Sequence, residues 1–339
     1  MANAAMINPH SEWLAQVNES VREPEIGICD AHHHLWDRSD NRYLMDDLER
    51  DAAGNNIVSS VFVECSAAYR SSGPMSMRPV GETAYIDKLA NLHQADPQST
   101  IDCAAAIISF ADLRLGEDAA RVIQAHREAS PDRFKGTRHG VGWDAHPDVP
   151  NSHTKPVKGL LMDRTFRQGV ACLEAEDLIY ECYLYFTQMQ ELADLARTFS
   201  TLRIVLNHFG GPIGVGPYTI KSKEMMDVWR KGIDDLAACP NVIAKLGGIA
   251  MPRNGFGWHL QAEPPTSIAL AEATAPFYRY TIEKFTPARC MFESNYPVEK
   301  QSCSYTVLWN SFKRIVSDFS AEEKAEMFYG TAAKTYSLA

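Results

Sequence analysis

The sequence predicts an α/β fold, a single (β/α)8 barrel with an N-terminal helical extension and insertions at its catalytic face. Eight short apolar runs alternate with longer amphipathic stretches, the pattern of parallel strands joined by helical crossovers. Most of the runs end in a polar or glycine-rich tail, as expected where a strand opens into a site-forming loop. No GxGxxG or Walker sequence follows any run, which sets aside the open doubly wound sheet.

Taken in order, the strand-like runs are 26–36 (IGICDAHHHLW), 57–67, 101–110, 134–143, 180–186, 202–210, 241–249 and 289–297. Helical patterns occupy 81–95, 112–129, 164–177, 188–199, 222–238, 266–285, 303–317 and 321–337. Residues 1–25 precede the first strand and are expected to form a helical extension across the barrel or a subunit contact, so the barrel itself runs over 26–339. Segments rich in Pro, Gly and Ser at Ser71–Val80, Ala145–Leu161 and Pro252–Thr266 follow the second, fourth and seventh runs. In a barrel these are catalytic-face loops.

Composition narrows the function. The chain has 339 residues, enough for one barrel of the usual ~250 residues with insertions. A net charge of −10 argues against nucleic acid or an anionic membrane as the main partner, since both select clustered Lys and Arg. A small molecule is the expected partner, with a homodimer as the base-rate assembly. The N-terminal residues lack the basic and apolar regions of a secretory signal, and no run reaches the ~20 apolar residues of a membrane span, so a cytoplasmic location is expected. Of eight cysteines, Cys29, Cys65, Cys103, Cys182 and Cys290 fall inside apolar runs and none forms a CxxC pair, which reads as buried thiols.

The chemistry begins at Asp30-Ala31-His32-His33-His34. Residues two apart on a strand share a side, so His32 and His34 project together and His33 turns away. Two imidazoles on one face can hold a divalent metal or donate hydrogen bonds to a substrate carbonyl. Glu64, on the second strand, lies beside this pair. Glu293 and Asn295 share a face if the eighth strand is regular.

The opening DAHHHLWD, LNHFGGP at 206–212, VIAKLGGIAMP at 242–252 and MFESNYPVEK at 291–300 together resemble the amidohydrolase-2 group of the amidohydrolase superfamily, in its lactonase-like branch. The resemblance implies that His32, His34 and His208 bind a divalent metal, zinc first, or in a metal-free alternative bind and polarise the substrate directly, with Asn295 joining them in a hydrogen-bonding cradle for a carbonyl or enolate. It implies further that Arg138 grips a substrate carboxylate, for which a planar guanidinium is suited. Tyr185 and Gln188, at the end of the fifth strand, are further pocket candidates, and Lys245 matches a lysine common in the branch.

Two departures stand out against that resemblance. Asn295 occupies the place of the usual strand-eight aspartate, and Phe186 the place where a strand-five histidine is looked for. An amide cannot act as a general base near neutral pH, which leaves Glu293 or Glu64 as the candidate proton relay. Asp144, His146 and His153 read as surface-loop residues, and His10, His93, His126 and His259 have no assigned role. The two aromatics of Gly255-Phe256-Gly257-Trp258 suit either a lid over the substrate or core packing. The expected activity is a hydrolase opening a small, carboxylated, anionic cyclic ester in sugar-acid or aromatic catabolism. A decarboxylase or hydratase on the same barrel is the alternative, followed by a catalytically silent ligand-binding barrel.

Overall fold

The eight apolar runs form eight parallel strands in the computed structural model, which describes residues 11–39 and 41–338. They are β1 (Ile28–His33), β2 (Ile57–Val63), β3 (Asp102–Ser109), β4 (Phe134–Arg138), β5 (Ile179–Cys182), β6 (Ile204–Leu206), β7 (Val242–Leu246) and β8 (Cys290–Phe292). Each pairs with its neighbour in chain order. Beyond the end of β8 the seam closes onto β1: Asn295 N–H donates to the His32 carbonyl at 2.8 Å and His34 N–H to the Tyr296 carbonyl at 2.7 Å. The chain is a (β/α)8 barrel, and its closing seam lies at the histidine cluster.

Helices follow the strands as α1 (Met45–Ala52), α2 (Val80–Gln94), α3 (Ala119–Ala129), α4 (Arg164–Ala175), α5 (Met189–Thr198), α6 (Lys223–Ala237), α7 (Ser267–Phe285) and α8 (Tyr305–Ile315). The sequence reading did not anticipate α1. Its buried residues are Met45, Leu48 and Ala52, three positions in eight, too short a stripe to stand out from the flanking charges. Of the expected helical extension, Ser11–Leu14 is helical, and residues 1–10, including His10, lie outside the described set. The strap that follows is held against α7 and α8, where Glu19 accepts from Ser267 N–H and from Asn310 Nδ2.

The observed strands are shorter than the predicted runs, and the difference falls at their C-terminal tails. His34, His208, Glu293 and Asn295 therefore sit just beyond strand ends rather than within strands. The cause is the backbone: His208 and Asn295 adopt φ of 52° and 53°, a left-handed conformation that ends a strand.

Inside the barrel, Cys29, Ala31, Val61, Val63, Ala106, Ile108, Ile179, Val205 and Met291 pack with Ala332 and Tyr336 of the C-terminal segment. Burial of the Cys29 thiol pushes its pKa up to about 12, so it is an inert core group. Among these apolar residues sits one ion pair, Lys245 Nζ at 2.8 Å from both carboxylate oxygens of Glu181. Asn207 Nδ2 and the Tyr336 hydroxyl also donate to that carboxylate, which satisfies its lone pairs. Among the described residues no helix is long and apolar enough to cross a membrane.

Candidate active site

The register of β1 shifts between Asp30 and His33. Toward the start of the strand Cys29 and Ala31 belong to the barrel interior. Above it His32 and His34 turn toward one another, with their Nε2 atoms 3.2 Å apart, while His33 is held outside by Ser60 Oγ at 2.9 Å. A bulge of this kind re-aims side chains at a barrel rim.

The partners of the rings fix their tautomers. His34 Nδ1 lies 2.7 Å from the Val63 carbonyl, which only accepts, so Nδ1 carries the proton. His208 Nδ1 donates to Glu293 Oε1 at 2.6 Å. His32 Nδ1 meets the other oxygen, Oε2, at 2.8 Å, off the hydrogen-bond line but too close to a carboxylate for anything but N–H. One buried carboxylate thus bridges two imidazoles, and all three rings present Nε2 as a lone pair. Burial first, then the charge of Lys245 for His32 and of Arg138 for His34, holds both imidazoles well below their usual pKa and so neutral.

Two unprotonated nitrogens facing each other at 3.2 Å repel unless a cation lies between them or beside them. His32, His208 and Glu293 also place ligand atoms within 4.8 Å of one another. Neutral imidazoles anchored through Nδ1 are the donors expected of a divalent metal site, so the residues fit such an ion. Gly248 makes room for this arrangement. With φ of +67°, it carries no side chain where a Cβ would lie 2.1 Å from His208 Nδ1.

Arg138 lies on the β2 side of the centre. Its Nε donates to Glu64 Oε1 at 2.8 Å, its Nη2 to the Glu64 carbonyl at 2.6 Å, and its Nη1 faces His32 Nε2 at 3.2 Å. Burial alone would raise the Glu64 pKa, but the charges of Arg138 and His153 outweigh it and bring the carboxyl down to about 2. His153, read from sequence as a surface residue, reaches Glu64 Oε2 at 3.3 Å with its ring half exposed. His34, His208 and Arg138 keep 4–8% of their surface open, and so form the edge by which the centre meets solvent.

Residues 29–338 match the family described as amidohydrolase. The chain belongs to the amidohydrolase family. An uncharacterized protein of Sinorhizobium fredii is 29% identical over 336 residues, covering 92% of this chain and 99% of its own. An L-fucono-1,5-lactonase of Burkholderia multivorans is 26% identical, covering 91% of this chain and 95% of its own. A crystal structure of an amidohydrolase from the same species with bound zinc has a TM-score of 0.71 at 24% identity, covering 92% of this chain and 100% of that one.

In this amidohydrolase the tail of β8 departs from regular strand geometry. Glu293 faces the histidines, whereas the positive φ of Asn295 turns its amide to Glu299, with Nδ2 3.4 Å from Oε1. The expected shared face of Glu293 and Asn295 is therefore lost. Ser294 instead anchors the tail, donating from N–H and Oγ to Asp30 at 2.8 and 2.5 Å.

Glu299 is fully buried and accepts from Ala250 N–H at 2.8 Å. Burial pushes its pKa up to about 8 from an ordinary 4.5. The folded protein keeps a proton that the unfolded chain gives up, so this residue makes stability fall as pH rises from about 4.5 to about 8. Glu299→Gln is expected to shrink the loss of Tm between pH 5 and pH 8, measured by calorimetry. An unchanged loss would mean that Glu299 is ionised in the fold.

At the end of β5, Gln188 accepts from Trp143 and Tyr185 N–H and donates to the Val141 carbonyl, while the Tyr185 hydroxyl donates to the Pro150 carbonyl. Both candidates thus brace the loop after β4. Phe186 is a core ring against Tyr218. The tyrosine that meets the centre is Tyr183, which the sequence reading passed over; its ring stands edge-on to His208 with centroids 5.5 Å apart. Alternation along the run 180–186 offered no signal, because β5 ends at Cys182. Phe256 and Trp258 stack at 4.4 Å on the loop after β7.

Proposed function

We propose that this amidohydrolase is a hydrolase that opens a small lactone, with His32, His34 and His208 as its reacting centre. The observation that carries the reading is the set of three imidazoles whose Nδ1 protons are all committed to acceptors, leaving three Nε2 lone pairs, of which that of His32 accepts from Arg138 Nη1 until a ligand displaces it. A divalent cation, zinc first, would be held by those nitrogens. When bound it would polarise the lactone carbonyl and acidify the attacking water. The zinc-bound structural neighbour and the lactonase relatives support this reading.

The chain's own groups complete the chemistry. Glu293 holds the Nδ1 protons of His32 and His208 and so keeps their lone pairs directed away from itself. Arg138 Nη1 sets a fixed positive charge beside His32, where it would stabilise the oxyanion of a tetrahedral intermediate. Asn295 has no proton affinity to offer, and Glu64, held at about 2 by Arg138 and His153, is too weak a base. Glu293 already faces an imidazole N–H with each oxygen. Water activation therefore falls on the three-nitrogen centre.

The test is acid release from a panel of 1,4- and 1,5-lactones, followed with a pH indicator. Wild type is expected to open at least one of them, and His34→Ala to lower kcat/KM by about 10²-fold or more. No turnover on any lactone, or turnover indifferent to His34→Ala, would overturn the assignment.

A further inference from the structure

The seam between β8 and β1 carries an inference that rests on the three-imidazole reading and deepens it. Every other pair of neighbouring strands is joined over several residues. Across the seam, among the described residues, the pairing shrinks to the single bridge between His33 and Tyr296. Glu293, whose carboxylate meets two imidazoles, therefore leaves β8 on a backbone that no ladder steadies on the β1 side.

Asp30 takes over that task. Its side chain is fully buried, and each carboxylate oxygen accepts two hydrogen bonds: Oδ1 from Ser294 N–H at 2.8 Å and His32 N–H at 3.3 Å, Oδ2 from Ser294 Oγ at 2.5 Å and the Tyr305 hydroxyl at 2.9 Å. A buried carboxylate is costly unless its lone pairs are met, and all these donors belong to β1, the tail of β8 and the first turn of α8. Ser294 Oγ in turn accepts from Tyr296 N–H at 3.1 Å, and Asn295 N–H donates to the His32 carbonyl. The tail amides of Ser294, Asn295 and Tyr296 thus all have partners, and those of Ser294 and Tyr296 reach them through the Asp30 carboxylate or the hydroxyl it holds.

The consequence reaches Glu293. Asp30 grips Ser294, while His32, two residues along the same strand, meets Glu293 Oε2 at 2.8 Å. Both contacts link the same two short segments, so loosening one loosens the other. A flexible glutamate can serve His32 and His208 together only if its backbone is fixed. We propose that Asp30 is a positioning residue: it closes the barrel seam in place of a strand ladder and so holds Glu293 between His32 and His208.

The test reads amide hydrogen exchange of the metal-free, full-length protein, and zinc affinity by titration calorimetry. Asp30→Ala should speed exchange over residues 290–297 by about tenfold or more, while Phe134–Arg138 and Ile179–Cys182, across the barrel, exchange as in wild type. It should also weaken zinc binding by about tenfold or more, yet by less than about threefold in the Glu293→Gln background, because Asp30 acts through Glu293. Asp30→Asn, whose amide oxygen can still accept from Ser294 N–H, should lie between Asp30→Ala and wild type in both readouts. If Asp30→Ala does not fold, Ser294→Ala, which removes the Oγ bonds and leaves the carboxylate, should show the same pattern in smaller measure. Exchange that is unchanged at the seam, or raised alike around the whole barrel, overturns the inference, as do zinc losses that add in the double variant. If wild type binds no zinc, the metal-centred reading falls and the exchange pattern alone decides the inference. If zinc binding depends on Asp30 through Glu293 but no lactone is opened, the inference stands and the lactone reading falls.

Discussion

Glu293→Gln is expected to lower kcat/KM for lactone opening by more than about 10²-fold with the fold retained. The carboxylate offers two acceptor oxygens to two imidazole N–H groups, Oε1 to His208 and Oε2 to His32. An amide of the same shape offers one oxygen and one NH2. Whichever ring meets the NH2 faces a donor with its own donor, and it escapes by moving its proton to Nε2. That ring then loses the lone pair through which it acts. Activity and bound zinc should fall together, because one tautomer change removes both. Steady-state kinetics beside elemental analysis of the variant would measure this. A Glu293→Gln enzyme with near wild-type kcat/KM would mean that the carboxylate does not set the tautomers.

Lys245→Met is expected to destabilise the protein by about 3–5 kcal/mol. The substitution nearly preserves volume, so the effect comes from Glu181, left as a carboxylate in the barrel interior with its lysine gone. Asn207 and Tyr336 would still donate to it, but neither neutralises its charge. The double variant Lys245→Met/Glu181→Gln removes the charge; its amide oxygen can accept from Asn207 while its NH2 faces the Tyr336 hydroxyl, which can accept, so it should recover at least half of the loss. Urea unfolding of wild type and the two variants measures the difference. Equal losses in the single and double variants would show that packing, not charge, governs this site.

Strand number, order and the loop-bearing face were legible in the sequence because each depends on local periodicity, which the runs from 26–36 to 289–297 preserve. The pairing of His32 with His34 was legible for the same reason: although the β1 register shifts between Asp30 and His33, the two rings two residues apart still meet. What the sequence hid at the site has two physical causes. One is backbone conformation: the positive φ at His208 and Asn295 ends the strands early, and alternation predicts the wrong neighbour for Asn295. The other is distance along the chain. Glu64 with Arg138, Tyr183 with Arg253, and His208 with Glu293 are separated by 74, 70 and 85 residues, so their partnerships exist only once the barrel closes. His153 belongs to the same class, since a loop histidine becomes part of the site only when Glu64 is brought beneath it. Helix α1 was missed for a third reason, its brevity.

The central claim is that His32, His34 and His208 can hold one metal ion, and zinc titration tests it most directly. Chelator-treated wild type and His32→Ala would be titrated with zinc and followed by calorimetry. The account predicts one equivalent bound per chain in wild type and loss of that site in His32→Ala. Wild type that binds no zinc, or a His32→Ala variant that binds it as wild type does, would contradict the account.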